Sequence, residues 1–228
     1  MPRTPAERLQ ELANLFTGNT HVYLDYANVR SCCSRLGWEI DLRKLMDLLK
    51  ATGKVKSTRF YFGTILGDKR SEGFTARARK EGFEVQTKPV KFIKLSIDAS
   101  SVPLQSTSIL KSFLSETLIR SLKVEAIEYL NTQLAELNKQ GTLFLSMMKC
   151  NFDVEIATDI RLDHALDKAQ TYCLWSGDSD FAHPLSLLLS EGRNVVVVSK
   201  GVATEISELK GDGMIYYDIR KLRELISR

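Results

Sequence analysis

The sequence predicts an α/β domain with a mainly parallel sheet and a helical insertion. Three observations predict it. Short apolar runs alternate with helically periodic segments along most of the 228 residues. The run Asn194–Ser199 (NVVVVS) is apolar throughout, as strands covered on both faces are. The alternation breaks once, over about 96–146, and then resumes.

Taken in order, residues 1–16 are charged and amphipathic and read as a short helix. Residues 21–25 (HVYLD) form a first strand ending in a carboxylate. Leu42, Leu45, Met46 and Leu49 mark a helix over 42–50 by their spacing. A second strand over 58–62 (TRFYF) is closed by Gly63. A helix over 74–81 stops at Gly82, a residue suited to a left-handed cap. A third strand starts at 83–87, and Pro89 limits its pairing.

Residues 96–108 are rich in Ser and Thr and read as a loop. A long helical stripe follows over 109–140, from Leu110 through Ile127, Leu130, Leu134 and Leu137, the last four spaced as in a heptad seam. Three uses are open for it: packing as extra core, dimerisation through the seam, or closure over a groove. Beyond Gly141 a short strand is expected over 142–147, then a helix over 153–169 and a strand over 171–176. Helices over 184–190, 203–209 and 220–226 then flank strands over 194–199 and 214–217.

Composition excludes several classes. At 43% hydrophobic and 26% charged, the chain is neither a collagen nor a disordered polymer. Cys32, Cys33, Cys150 and Cys173 form no CxxC pair, and only three histidines accompany them, which argues against a structural zinc site. No signal-peptide pattern opens the sequence, and no apolar run is long enough to cross a bilayer. The expectation is a cytoplasmic protein with free thiols and no membrane contact.

Two strands end in acids: Leu24-Asp25-Tyr26-Ala27-Asn28 and Ser176-Gly177-Asp178-Ser179-Asp180. With a 3-2-1-4-5 strand order these are neighbours at the switch point, where open parallel sheets bind ligands. Asp153, at a helix start, is expected beside them, with Asp159 six residues on. Crowded carboxylates repel unless a cation offsets them, and an oxygen-only donor set suits Mg²⁺ or Mn²⁺. Such a site would serve phosphoryl transfer or hydrolysis. Asp25, Asp153 and Asp178 also read as helix N-caps. Asp163 and Asp167 read as a solvated helix face. Ala27 occupies the position two after Asp25, which argues against a haloacid-type phosphatase. The missing GxGxxG argues against a dinucleotide enzyme.

Three blocks resemble the NYN domain family of the PIN-like nuclease superfamily: 22–28 (VYLDYAN), 149–159 (KCNFDVEIATD) and 174–181 (LWSGDSDF). The resemblance implies a single Rossmann-like, three-layer α/β/α domain over 1–228, with 96–146 as a helical insertion. It implies a Mg²⁺- or Mn²⁺-dependent endoribonuclease that leaves a 5′-phosphate and a 3′-hydroxyl. In that reading Asp25, Asp153, Asp178 and Asp180 hold metal, Asn28 supports Asp25, and Asp159 is a further acid.

Charge is unevenly spread. Residues 43–94 hold 14 Lys or Arg against 5 Asp or Glu, an excess of +9, while residues 153–180 hold 7 acids against 2 bases, or −5. The basic block is expected to track an RNA backbone, with Lys54, Lys56, Arg59, Lys69, Arg70, Arg77, Arg79 and Lys80 as contacts. An ordinary solvated surface is the competing reading. The functional alternative is a catalytically weak RNA-binding or assembly module whose insertion holds a partner, including a second copy through the 109–140 helix.

Overall fold

The computed structural model describes residues 4–141 and 143–228; Thr142, where the 142–147 strand was expected to start, lies outside them, as do residues 1–3. The chain forms two compact units, residues 1–90 with 150–228, and residues 91–149.

The first unit opens with helix α1 (Pro5–Leu15), whose Thr4 and Glu7 form a reciprocal capping box. Strand β1 (Thr20–Asp25) runs into α2 (Tyr26–Arg35) and α3 (Leu42–Ala51), then β2 (Val55–Thr64), α4 (Lys69–Glu81) and β3 (Glu84–Pro89). The second unit holds β4 (Lys91–Ile97), α5 (Glu116–Ser121), α6 (Val124–Lys139) and β5 (Leu143–Lys149). The chain re-enters the first unit through α7 (Asp153–Ala165), β6 (Thr171–Trp175), α8 (Ala182–Ser190), β7 (Asn194–Ser199), α9 (Thr204–Glu208), β8 (Ile215–Asp218) and α10 (Arg223–Ile226).

Six strands form one parallel sheet in the order β3-β2-β1-β6-β7-β8. The expected 3-2-1-4-5 order is present, extended by one strand. Alternation along each strand divides the core into two layers. Val22, Leu24, Phe60, Cys173, Trp175 and Val196 pack with α1, α2, α3 and α10. Tyr23, Tyr61, Tyr172, Leu174, Val195 and Val197 pack with α7, α8 and α9. The result is the three-layer α/β/α fold. Pro89 is tolerated because β3 is an edge strand, where a missing N–H costs no ladder bond.

Several elements differ from the sequence expectation. Helix α2 was not foreseen, because its buried stripe of Tyr26, Val29, Cys32 and Cys33 uses cysteines as small apolar residues. The expected helix over 153–169 stops at Ala165, where Asp167 turns left-handed at φ 49°. The expected single helix over 109–140 is three pieces: a 3₁₀ turn at Leu110–Ser112, α5 and α6. Leu122 and Lys123 are extended at ψ 139° and 156°, which folds the pieces back on each other. Leu110, Ile119 and Ile127 form a small core with Leu114, Leu122, Leu130 and Leu134. Three of the four heptad-seam residues are therefore used within the insertion itself, and only Leu137 faces outward. Asn131, buried on α6, donates through Nδ2 to the Leu104 and Ser106 carbonyls and ties down the preceding loop.

The acidic end of the sheet

Asp25 ends β1, and the register that pairs Leu24 with Trp175 brings it beside Ser176, the residue that follows β6. One Asp25 oxygen accepts from the backbone N–H of Asn28 at 3.2 Å, so it caps α2. Its other oxygen accepts from Ser176 Oγ at 3.2 Å. The capping and site readings of Asp25 are thus both realised, one on each oxygen. Ser176, which the sequence reading passed over, joins the two strand ends, since its Oγ also accepts from Asp178 N–H. Asp178 accepts from Asp180 N–H and starts the 3₁₀ turn Ser179–Phe181. Gly177 is required between them: a Cβ there would lie 2.2 Å from the Gly201 carbonyl oxygen.

Asp153 is not a cap residue; it is the first residue of α7 and accepts from Asn151 Nδ2 at 2.7 Å. The four acids act on one another. Burial pushes the Asp25 carboxyl up to about 6 against the bonds from Asn28 and Ser176, and the charges of Asp153 and Asp178 push it further. Asp153 is also raised, first by burial and then by Asp178 and Asp180. Yet among the described residues no three His, Cys, Asp or Glu side chains converge to metal-ligand geometry. The acids stand within repulsive range but not at ligand distance. A mutually repelling, oxygen-only set of this kind fits a hard divalent cation, whose charge would draw the carboxylates together. A thiolate site does not fit: burial pushes the Cys33 and Cys173 thiols up to about 12.

Lys88, at the end of β3, is a second group that the sequence reading did not single out. Its Nζ donates to Glu155 at 2.5 Å, lies 4.7 Å from the centre of the Phe152 ring, and acts on Asp153 to lower its pKa. It brings a cation to the acidic end of the sheet.

Asp159 is placed elsewhere. It accepts from Tyr61 OH at 2.7 Å and faces Arg59 at 3.7 Å. One turn further on α7, Asp163 is the hub of a buried network. Its Oδ2 pairs with His21 Nδ1 and Tyr23 OH, both at 2.8 Å, and its Oδ1 accepts from Arg59 Nη2 at 2.9 Å. Burial alone would raise its carboxyl; the donors from His21, Tyr23 and Arg59 outweigh burial and hold it well below the usual carboxylate range. This corrects the reading of Asp163 as a solvated residue: it is 1% exposed. Asp167 remains solvent-exposed, paired with Arg193.

The basic block divides as well. Arg59 is committed to Asp163, Asp159 and Glu84 inside the fold. Lys54 donates to the Ala13 and Phe16 carbonyls and closes the end of α1. Neither is available as the expected RNA contact. Lys56, Lys69, Arg70, Arg77, Arg79 and Lys80 are exposed.

A sequence model of the NYN domain matches residues 19–105 and 106–218. The chain belongs to the NYN domain family. NYN domains are PIN-like, and the sheet described above is the corresponding three-layer fold. Family membership supports a nuclease-like hydrolase at a coarse level. No curated protein matches the sequence. Among solved structures this NYN chain is similar to a protein of unknown function from Vibrio parahaemolyticus, at 16% identity and a TM-score of 0.54, over 90% of this chain and 94% of that one. That likeness concerns the fold alone. Among the described residues no helix is long and apolar enough to cross a membrane.

Proposed function

We propose that this NYN protein is a divalent-metal-dependent endoribonuclease that hydrolyses RNA phosphodiester bonds at the acidic end of its sheet. One observation carries the reading: Asp25, Asp153, Asp178 and Asp180 come from two neighbouring strand ends and a helix start, and burial, with a smaller push from the neighbouring carboxylates, raises the carboxyls of Asp25 and Asp153. Binding of Mg²⁺ or Mn²⁺ offsets such repulsion. Asp25, Asp153, Asp178 and Asp180 would hold the ion, which supplies Lewis acidity toward water and toward the phosphate. Ser176 and the Asn28 N–H fix the two oxygens of Asp25. Lys88 adds positive charge beside Asp153, suited to an anionic substrate. Exposed Lys56, Lys69, Arg70, Arg77, Arg79 and Lys80 supply the phosphate-tracking surface.

The test is incubation with labelled single-stranded RNA and Mn²⁺ or Mg²⁺, beside an Asp178→Asn variant and an EDTA control. Cleavage to 5′-phosphate products that both controls abolish is the expected result. Cleavage that survives both is contamination and removes the assignment. Tight RNA binding without cleavage supports the alternative of a binding module on the same fold. Parallel DNA and RNA substrates then test the preference for RNA.

A further inference from the structure

One large apolar side chain is almost fully exposed at the acidic end of the sheet. Leu66 is 91% exposed, and it sits in the connection between β2 and α4. Because β2 runs parallel to β1, that connection leaves the sheet at the same edge as Asp25. Tyr61 is the register partner of Asp25, and β2 continues past it to Thr64, about 10 Å at strand rise. Gly63 in that stretch packs against Cys150, whose Sγ would meet a Cβ at 2.7 Å, and Cys150 closely precedes Asp153 in the chain. Hydrogen bonds hold the tip. Asp68 N–H donates to the Ile65 carbonyl at 3.0 Å, and Gly67 takes φ 77°, as the third position of a type II turn requires. Gly67 N–H donates to Glu72 at 3.2 Å, Ser71 Oγ accepts from Ile65 N–H at 3.2 Å, and Asp68 accepts from Ser71 N–H at 3.0 Å. Leu66 takes the outer corner of this turn, outside the hydrophobic core. The face of α4 beyond it is basic. Lys69, Gly73, Ala76, Arg77 and Lys80 are exposed and share about one third of the helix circumference. The neighbouring acids are engaged: Asp68 and Glu72 by N–H groups of the turn, Glu81 by Arg43 at 3.5 Å. Arg70 acts on Asp68 and is left out of the strip. Gly73 has open space where a Cβ would stand, so the helix backbone is open to close approach between Lys69 and Lys80.

We propose that Leu66 is a wedge for single-stranded RNA: it inserts between two neighbouring bases, and the phosphates that follow run along Lys69, Arg77 and Lys80. Three features select that occupant. Single exposed leucines are ordinary on protein surfaces, but this one stands on a hydrogen-bonded tip, so inserting it costs little further ordering. One apolar side chain is too small to seat a protein helix, yet it fits between two bases, as the apolar wedges of nucleic-acid-binding proteins do. The basic strip begins three residues after Leu66 and matches the charge of a phosphate chain. A single strand is favoured over a duplex because parting its bases costs stacking alone, whereas a duplex also loses pairing. A base step parted by Leu66 lies at the edge that holds Asp25. The choice of RNA rests on the nuclease reading above; the wedge and the strip do not depend on the acids.

The test uses the full chain in EDTA, so that no cleavage intervenes, and an oligoadenosine RNA carrying 2-aminopurine, a base whose fluorescence rises when it is unstacked. Fluorescence is expected to rise as the wild type saturates the strand. Leu66→Ala is expected to bind about tenfold more weakly and to lose most of that rise even at saturation, and Leu66→Met to keep it. The Lys69→Gln/Lys80→Gln double variant is expected to keep the rise at saturation but to flatten the slope of log affinity against log salt by about 1.4, the loss of two phosphate contacts on a single strand. Thermal unfolding of Leu66→Ala should match the wild type, and a clear loss there makes Leu66 a packing residue and overturns the inference. A Leu66→Ala chain with unchanged affinity and unchanged rise also overturns it, as does a wild type that does not bind the RNA. A hairpin RNA that competes on equal terms overturns the commitment to single strands. Self-association of the chain that Leu66→Ala abolishes overturns it in favour of a second copy. Leu66-dependent unstacking by a chain that never cleaves supports the wedge and removes the nuclease reading. Metal-dependent cleavage with binding that ignores Leu66 does the reverse.

Discussion

Asp163→Asn isolates the buried hub of α7. The substitution keeps size and shape but removes the charge that faces Arg59 at 2.9 Å and accepts from Tyr23 OH and His21 at 2.8 Å. An amide can accept at only one of its two positions, so at least one of these donors, or Arg59 itself, loses its partner in the interior. Breaking a buried pair by removing one member costs about 3–5 kcal/mol, because the remaining charge is stranded. Total stabilities are roughly 5–15 kcal/mol, so the loss is a large fraction of the whole. With a urea slope of about 2–3 kcal/mol per molar, the midpoint should fall by about 1–2 M at pH 7.5. Trp38 and Trp175 both lie in the sheet-containing unit, so intrinsic fluorescence follows that unit's transition. The pH dependence has a definite sign. Asp163 is held below the ordinary range, so its contribution is fully present above the unfolded carboxylate pKa of about 4 and is lost as pH falls. The gap between wild type and variant should therefore close on acidification. A loss under about 1 kcal/mol at pH 7.5, or a gap that does not change with pH, would refute the argument and return Asp163 to a solvated helix face.

Three further outcomes are expected. Asp25→Asn should have the opposite sign: the carboxyl is raised from 3.8 to about 6, so its stabilising neutral form is lost as pH rises through that window. In EDTA the variant should gain about 3 kcal/mol at pH 7.5 and nothing at pH 4, by urea unfolding at the two pH values. Mn²⁺ should raise the melting temperature of the wild type in a concentration-dependent way and leave Asp25→Asn nearly unmoved, as differential scanning fluorimetry would read. Gly177→Ala should cost about 1–3 kcal/mol in denaturant unfolding, because its methyl meets a backbone carbonyl that cannot swing away as a flexible side chain can.

The acids of the candidate site are legible as sequence because they sit in local signals. A strand end followed by Gly-Asp-Ser-Asp, and a first strand ending Asp-Tyr-Ala-Asn, each declare a carboxylate at a strand terminus, and parallel topology puts such termini at one edge. Ser176 sits inside the same motif, but its bond to Asp25 crosses 151 residues of sequence and has no local signature. Lys88 was hidden in the same way, since its partner Glu155 is 67 residues away. Arg59 and Asp163 were misread for one shared reason. A charged residue in a strand or on a helix is solvated by default, and only the opposing element shows whether a partner waits inside.

Periodicity and strand-end motifs are properties of contiguous residues, so the class of fold, the alternation of strands and helices, and the positions of the acids along the chain follow from local sequence. Which charges pair with one another is set by packing between distant segments. It joined Asp25 to Ser176 through strand register, sent Asp159 to Tyr61 and Arg59 instead of to the acidic cluster, and folded the 109–140 stripe onto its own small core. Those outcomes depend on packing between segments far apart in the chain, and the energies of charge burial and pairing exist only once the segments have met.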